Sequence, residues 1–116
     1  MSSSSAVPAI GPRSQRYRNI GPGEVRCFPQ EVPPRVALRG EIDLTTGPQL
    51  DLAYQELAQL PAGDVVLDLT EVTFLGCVAL RLVFGLTARL APTGHEVVIH
   101  APSPPARRLL ELAGFL

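Results

Sequence analysis

The chain has 116 residues, of which 46% are hydrophobic and 18% charged, a globular profile that suits one domain and is too short for two. It holds no apolar run of about 18 residues, which excludes a membrane-spanning helix. The N-terminus lacks the charged-then-apolar order of a signal peptide, so the cytoplasm is the expected location.

The formal net charge of −1 hides an asymmetry. Residues 1–23 carry Arg13, Arg16 and Arg18 and no acid, whereas residues 24–116 carry seven Arg against eleven Asp and Glu. No basic stripe is available to track a phosphate backbone, so no direct nucleic-acid binding is expected. Cys27 and Cys77 form no CxxC pair, and His95 and His100 make no zinc spacing with them. No metal or other cofactor is expected, and two unpaired thiols fit a reducing compartment.

Taken in order, residues 1–23 are rich in Ser, Gly and Pro and read as a flexible tail; the domain is expected over 24–116. Glu24–Phe28 reads as a short strand, broken by Pro29, Pro33 and Pro34. Residues 36–42 read as a second strand, with Gly40 serving backbone conformation near its end. Thr45 and Thr46 supply cap hydroxyls ahead of Pro48, and Leu50, Ala53, Leu57 and Leu60 make the apolar stripe of a helix. Residues 64–69 have the continuous apolar character of a strand covered on both faces, with Asp68 as a turn-forming acid at its end.

Residues 70–76 read as a linker and 77–90 as a helix apolar nearly all round. Such a helix is either buried or offers an apolar face to a partner. Residues 96–100 make a fourth strand, and Ser103-Pro104-Pro105 opens a last helix ended at Gly114. The order β-β-α-β-α-β-α predicts an α/β fold, a four-stranded mixed sheet with three main helices packed mainly on one face.

Four segments taken together resemble the STAS family in its anti-sigma factor antagonist type. They are Arg39-Gly40-Glu41-Ile42-Asp43-Leu44-Thr45-Thr46, Val65-Val66-Leu67-Asp68-Leu69-Thr70, Val72-Thr73-Phe74-Leu75 and the terminal Arg107–Phe115. The resemblance implies partner switching: an unphosphorylated antagonist binds an anti-sigma factor, often a serine kinase, and frees a sigma factor for transcription. Phosphorylation of a serine at the start of the second helix breaks that complex. The family segment Phe-x-Asp-Ser-Ser-Gly-Leu reads here Phe74-Leu75-Gly76-Cys77-Val78-Ala79-Leu80. Cys77 stands at the acceptor position and no hydroxyl lies between Gly76 and Ala79, so the usual charge of about −1.5 to −2 cannot be added there. Thr73 and Thr87 are the nearest hydroxyls along the chain.

Cys77 itself reads as a small apolar filler, a redox-sensitive thiol or a phosphoryl acceptor. Asp43 reads either as a helix cap or, by the resemblance, as a residue beside the docking surface. Thr45, Gly76, Cys77, Val78 and Arg81 complete the expected partner-binding set. Arg81 and Arg89, near one helix face, suit a partner's carboxylates or a solvated role, and the Val78, Leu82 and Leu86 ridge suits either docking or core. His95 and His100 have no acid at catalytic spacing, so no enzyme is expected. The implied partner is an anti-sigma factor or serine-kinase-like regulator, engaged without control by serine phosphorylation. An accessory subunit of a larger assembly, such as a lipid-transport ABC system or a stress-signalling complex, and a thiol switch are the alternatives. Oligomeric state is open.

Overall fold

Alternation of inward apolar and outward polar side chains builds the sheet. The computed structural model describes residues 23–116; the tail expected over 1–23 lies outside the described residues except for Gly23. The strands are β1 (Glu24–Phe28), β2 (Arg35–Ile42), β3 (Val65–Leu75) and β4 (Val97–His100), and the helices are α1 (Gly47–Ala58), α2 (Ala79–Leu90) and α3 (Pro104–Leu112). The sheet runs β1-β2-β3-β4. β1 is antiparallel to β2, and β2, β3 and β4 are parallel. This is the four-stranded mixed sheet with three helices that the element order predicts.

One face of the sheet supplies Val36, Leu38, Ile42, Val65, Leu67 and Leu69 to the core, and the helices meet it with Leu50, Leu57, Leu82, Leu86 and Leu110. The opposite face is charged. On it Arg35 donates to Glu31 (2.9 Å) and to Asp68 (3.2 Å), and Arg39 pairs with Glu71 (3.1 Å).

β3 corrects the expected linker over residues 70–76. Its register against β2 shifts twice: Ala37 faces Asp68 while Arg39 faces Glu71, and Gly40 faces Val72 while Glu41 faces Phe74. Each shift places one extra residue on β3, so its core positions Leu69, Val72 and Leu75 step by three instead of two. That spacing hides a strand from a period-2 reading. Asp68 is therefore mid-strand rather than at a strand end, and it accepts from the Thr70 N–H (3.1 Å) and hydroxyl (2.7 Å). Gly40 has φ +79° at the second shift, a conformation that favours glycine, in line with its expected backbone role.

Smaller differences concern helix ends. α1 stops at Ala58, so Leu60 packs on the core from beyond the helix. α2 begins at Ala79, two residues later than expected, because Cys77 and Val78 form a turn. Ser103 caps α3 by accepting from the Ala106 N–H.

Candidate functional site: one end of the sheet

β2 and β3 end side by side, where the Gly76 N–H donates to the Ile42 carbonyl at 2.7 Å. That bond joins two loops, the turn Asp43–Thr46 ahead of α1 and the turn Gly76–Val78 ahead of α2.

The first loop is held by its own side chains. Asp43 Oδ1 accepts from the Thr45 N–H (3.0 Å) and the Thr45 hydroxyl (2.6 Å), and Thr46 Oγ1 accepts from the Asp43 N–H (3.1 Å). This reciprocal box caps a 3-10 turn over Leu44–Thr46, so capping is the role of Asp43 that the geometry displays. With its polar groups turned inward on each other, the loop thrusts Leu44 outward, 83% exposed. Hydrogen bonds, first of all from the Thr45 hydroxyl and then from the Thr45 N–H and Thr46, lower the Asp43 pKa against the opposing effect of burial. A carboxylate whose folded pKa is depressed stabilises the fold above its unfolded pKa and loses that contribution as pH falls through the folded value. Between pH 5 and pH 3 the urea midpoint is therefore expected to fall. Asp43→Asn, which retains capping without titrating, should flatten that fall, and an unchanged slope would show that Asp43 is not part of it.

In the second loop a side chain on Gly76 would meet the Ile42 carbonyl at 3.1 Å and the Phe74 ring at 3.2 Å. The absence of a Cβ lets the loop lie close against β2, and Phe74 stands 51% exposed beside it. Cys77 is exposed, which corrects its reading as a buried apolar filler: the turn ahead of α2 leaves it outside the packed helix. Val78 is the opposite case. It is only 8% exposed and belongs to the core with Leu82 and Leu86, so its side chain is not available as a docking contact and the whole ridge is core. The outward periodicity of α2 starts after the turn, and a sequence that appears apolar all round does not reveal which face turns in.

Arg81 reaches Asp51 of α1, its Nη2 lying 2.7 and 2.8 Å from the two carboxylate oxygens. Arg89 donates to the Leu60 carbonyl at 3.1 Å. Both arginines thus have partners within the chain, contacts between residues about 30 apart that spacing on one helix could not reveal. His95 likewise meets Asp64 at 3.3 Å, an acid 31 residues away, which corrects the expectation that it has none. The hydroxyl of Thr87 is engaged with the Val83 carbonyl (2.7 Å), whereas Thr73 is exposed.

Two residues of this end were absent from the expected set, Leu44 and Phe74. The available signal was an apolar residue inside a polar turn, Asp-Leu-Thr-Thr, and the aromatic next to the glycine.

The other thiol is unlike Cys77. Cys27 lies partly buried under α1, donating to the Ala53 carbonyl (4.0 Å). Burial, together with the nearby Glu56 carboxylate, pushes its pKa up to about 11. Iodoacetamide at pH 8 is expected to label Cys77 well before Cys27, read by peptide mass spectrometry; equal labelling would contradict the packing of Cys27.

The class defined by this fold and end is a small mixed-sheet α/β domain in which a capped turn ahead of α1 and an adjoining turn ahead of α2 leave Leu44 and Phe74 exposed. A family model described as "Mlab, STAS domain" matches residues 29–115, and the chain belongs to the STAS domain family. Among solved structures it is similar to the anti-sigma factor antagonist SpoIIAA in its unphosphorylated form, with a TM-score of 0.62 and 18% identity over 81% of this chain and 82% of that one. That likeness is one of fold. It is also similar to an anti-sigma factor antagonist from Mycobacterium paratuberculosis, with a TM-score of 0.60 and 29% identity over 80% of this chain and 79% of the other. No curated protein matches the sequence. Among the described residues, no helix is long and apolar enough to cross a membrane.

Proposed function

We propose that residues 24–116 form an anti-sigma factor antagonist-like binding module, acting in the cytoplasm on an anti-sigma factor or related serine-kinase-like regulator and so controlling sigma-factor-dependent transcription. It is not an enzyme in this reading. The docking surface comprises Asp43, Thr45, Gly76, Cys77 and Arg81, with Leu44 and Phe74 added.

The observation that carries the reading is the paired, bonded loops at one end with an exposed apolar rim. Interfaces concentrate their binding energy in a few such residues on pre-ordered backbone. Cys77 carries a thiol where a serine kinase would need a hydroxyl, so the complex persists when the kinase is active.

The test is to mix the purified protein with each anti-sigma factor of the same genome, with and without ATP, and follow the complex by size exclusion. A complex that survives ATP supports the reading. Dissociation with phosphate on Thr45, Thr73 or Thr87 would sink the insensitivity, and no complex with any factor would sink the docking itself. The missing acceptor also favours a second reading, an accessory subunit of a larger assembly such as a lipid-transport ABC system. A permanently bound subunit needs no phosphorylation switch, and co-purification with a transporter complex instead of an anti-sigma factor would favour it.

A further inference from the structure

The sheet has two outer strands, and their free edges differ. Along β1 the edge is engaged: Gln49 of α1 accepts from the Val25 N–H (3.2 Å) and donates to the Gly23 carbonyl (3.4 Å). Glu24 and Arg26 also put charge on that strand. β4 lacks such protection. Its residues Val97–His100 include no proline or lysine and pair with β3 without a bulge, the devices that otherwise keep strand edges apart. Among the described residues no strand lies on its outer side.

The register fixes which groups point outward. The Val65 N–H donates to the Glu96 carbonyl (3.2 Å), and Val65 faces Val97. Backbone groups alternate along a strand, so those of Glu96, Val98 and His100 turn to β3 and those of Val97 and Ile99 turn to the free edge. Side chains alternate as well. Val97 and Ile99 pack on the core, whereas Glu96, Val98 (40% exposed) and His100 stand on the other face.

This edge is complementary to itself. Laid antiparallel about Val98, two copies set Val97 opposite Ile99 of the second copy, and each such pair exchanges both of its backbone hydrogen bonds. Val98 then meets Val98, flanked on either side by Glu96 against His100. These are the non-hydrogen-bonded positions, where facing side chains approach most closely. A parallel in-register pair would set Glu96 against Glu96 instead. Nearby acids are already engaged, Asp64 with His95 (3.3 Å) and Asp68 with Arg35 (3.2 Å), whereas among the described residues neither Glu96 nor His100 has a salt-bridge partner.

We propose that β4 is a self-association edge, through which two copies of this chain pair antiparallel at Val97 and Ile99 to form one continuous sheet. So short a strand makes a weak contact, which assembles with rising concentration. β4 lies beside residues 65–68 of β3, the end of that strand away from Gly76. The pairing therefore does not rest on the docking reading, and it leaves both ends that carry Asp43 and Cys77 free and pointing in opposite directions.

Sedimentation of the full chain over a concentration series tests the association, and disulfide trapping tests its register. The natural protein should show a monomer–dimer equilibrium. Val98→Lys sets like charges face to face and should raise the dissociation constant at least about tenfold, with thermal melting still cooperative. Trapping uses a Cys77→Ser background, which removes the exposed native thiol. In it Val98→Cys, oxidised with diamide, should give a covalent dimer, since directly opposed residues of such a pair lie within disulfide reach. Glu96→Cys should not bridge to itself, because two such residues would be about four strand positions apart, roughly 14 Å. Mixed with His100→Cys it should. Cysteine changes β4 little, so trapping decides the matter should Val98→Lys unfold. A monomer at all concentrations up to about 0.5 mM would overturn the proposal. A dimer that a folded Val98→Lys leaves intact, or trapping of Glu96→Cys alone as fast as Val98→Cys, would put the contact elsewhere and overturn it as well.

Discussion

Replacing Leu110 with alanine is expected to lower the unfolding free energy by about 3 kcal/mol, within the roughly 2–5 kcal/mol typical of buried leucine truncation. Leu110 is 0% exposed, and α3 buries only one other residue fully, Ala106. The helix has nine residues, too short to hold itself in water, so its place beside β3 depends on this side chain. Ser103 makes the entry bond, its N–H donating to the Leu69 carbonyl at 3.2 Å, but one such bond contributes only about 1 kcal/mol. Small domains have about 5–15 kcal/mol of stability in total, so the change takes away a large share of it. Urea unfolding at pH 7 measures the change. A loss under about 1 kcal/mol would mean that α3 is not packed on β3 as described.

The second large effect concerns binding. Leu44→Asp is expected to weaken the complex with the partner about 30-fold or more, the factor that about 2 kcal/mol at an interface hot spot produces. Two features make this substitution informative. Leu44 is almost wholly exposed and its side chain is not part of the cap, since the bonds of the loop run among Asp43, Thr45 and Thr46. Fold stability should therefore stay within about 0.5 kcal/mol of the natural protein. The introduced carboxylate also adds a third acid beside Glu41 and Asp43, so a partner that buries this rim would have to desolvate it. Isothermal titration with the captured anti-sigma factor reads the affinity, and thermal melting reads the fold. Unchanged affinity would remove Leu44 from the docking surface and shift the weight to Phe74 and the Gly76 turn.

The end of the sheet that holds Asp43 and Cys77 shows how local and distant information divide. Asp43, Thr45 and Thr46 lie within four residues of one another, and their hydroxyls and carboxylate at cap positions point to a helix start in any context. The cap was therefore legible. Leu44 was not, because an apolar residue in a turn only becomes informative when neighbouring loops are seen to leave it uncovered. The pairing of Arg81 with Asp51 joins α1 to α2, and neither helix alone reveals it. Cys77 and Val78 are adjacent, yet one is exposed and the other buried, since a two-residue turn ahead of α2 rotates their side chains in opposite directions.

By itself the sequence determined the element order, the mixed sheet and the missing hydroxyl at Cys77. Those follow from periodicity, breaker residues and residue identity, all of which act over a few positions. Tertiary structure alone decided the reach of β3 through two bulges and the burial of Val78. It also decided the outward turn of Leu44 and Phe74. Each of these depends on which distant backbone lies alongside, and contacts across 20 to 50 residues of chain leave no period in the sequence to read.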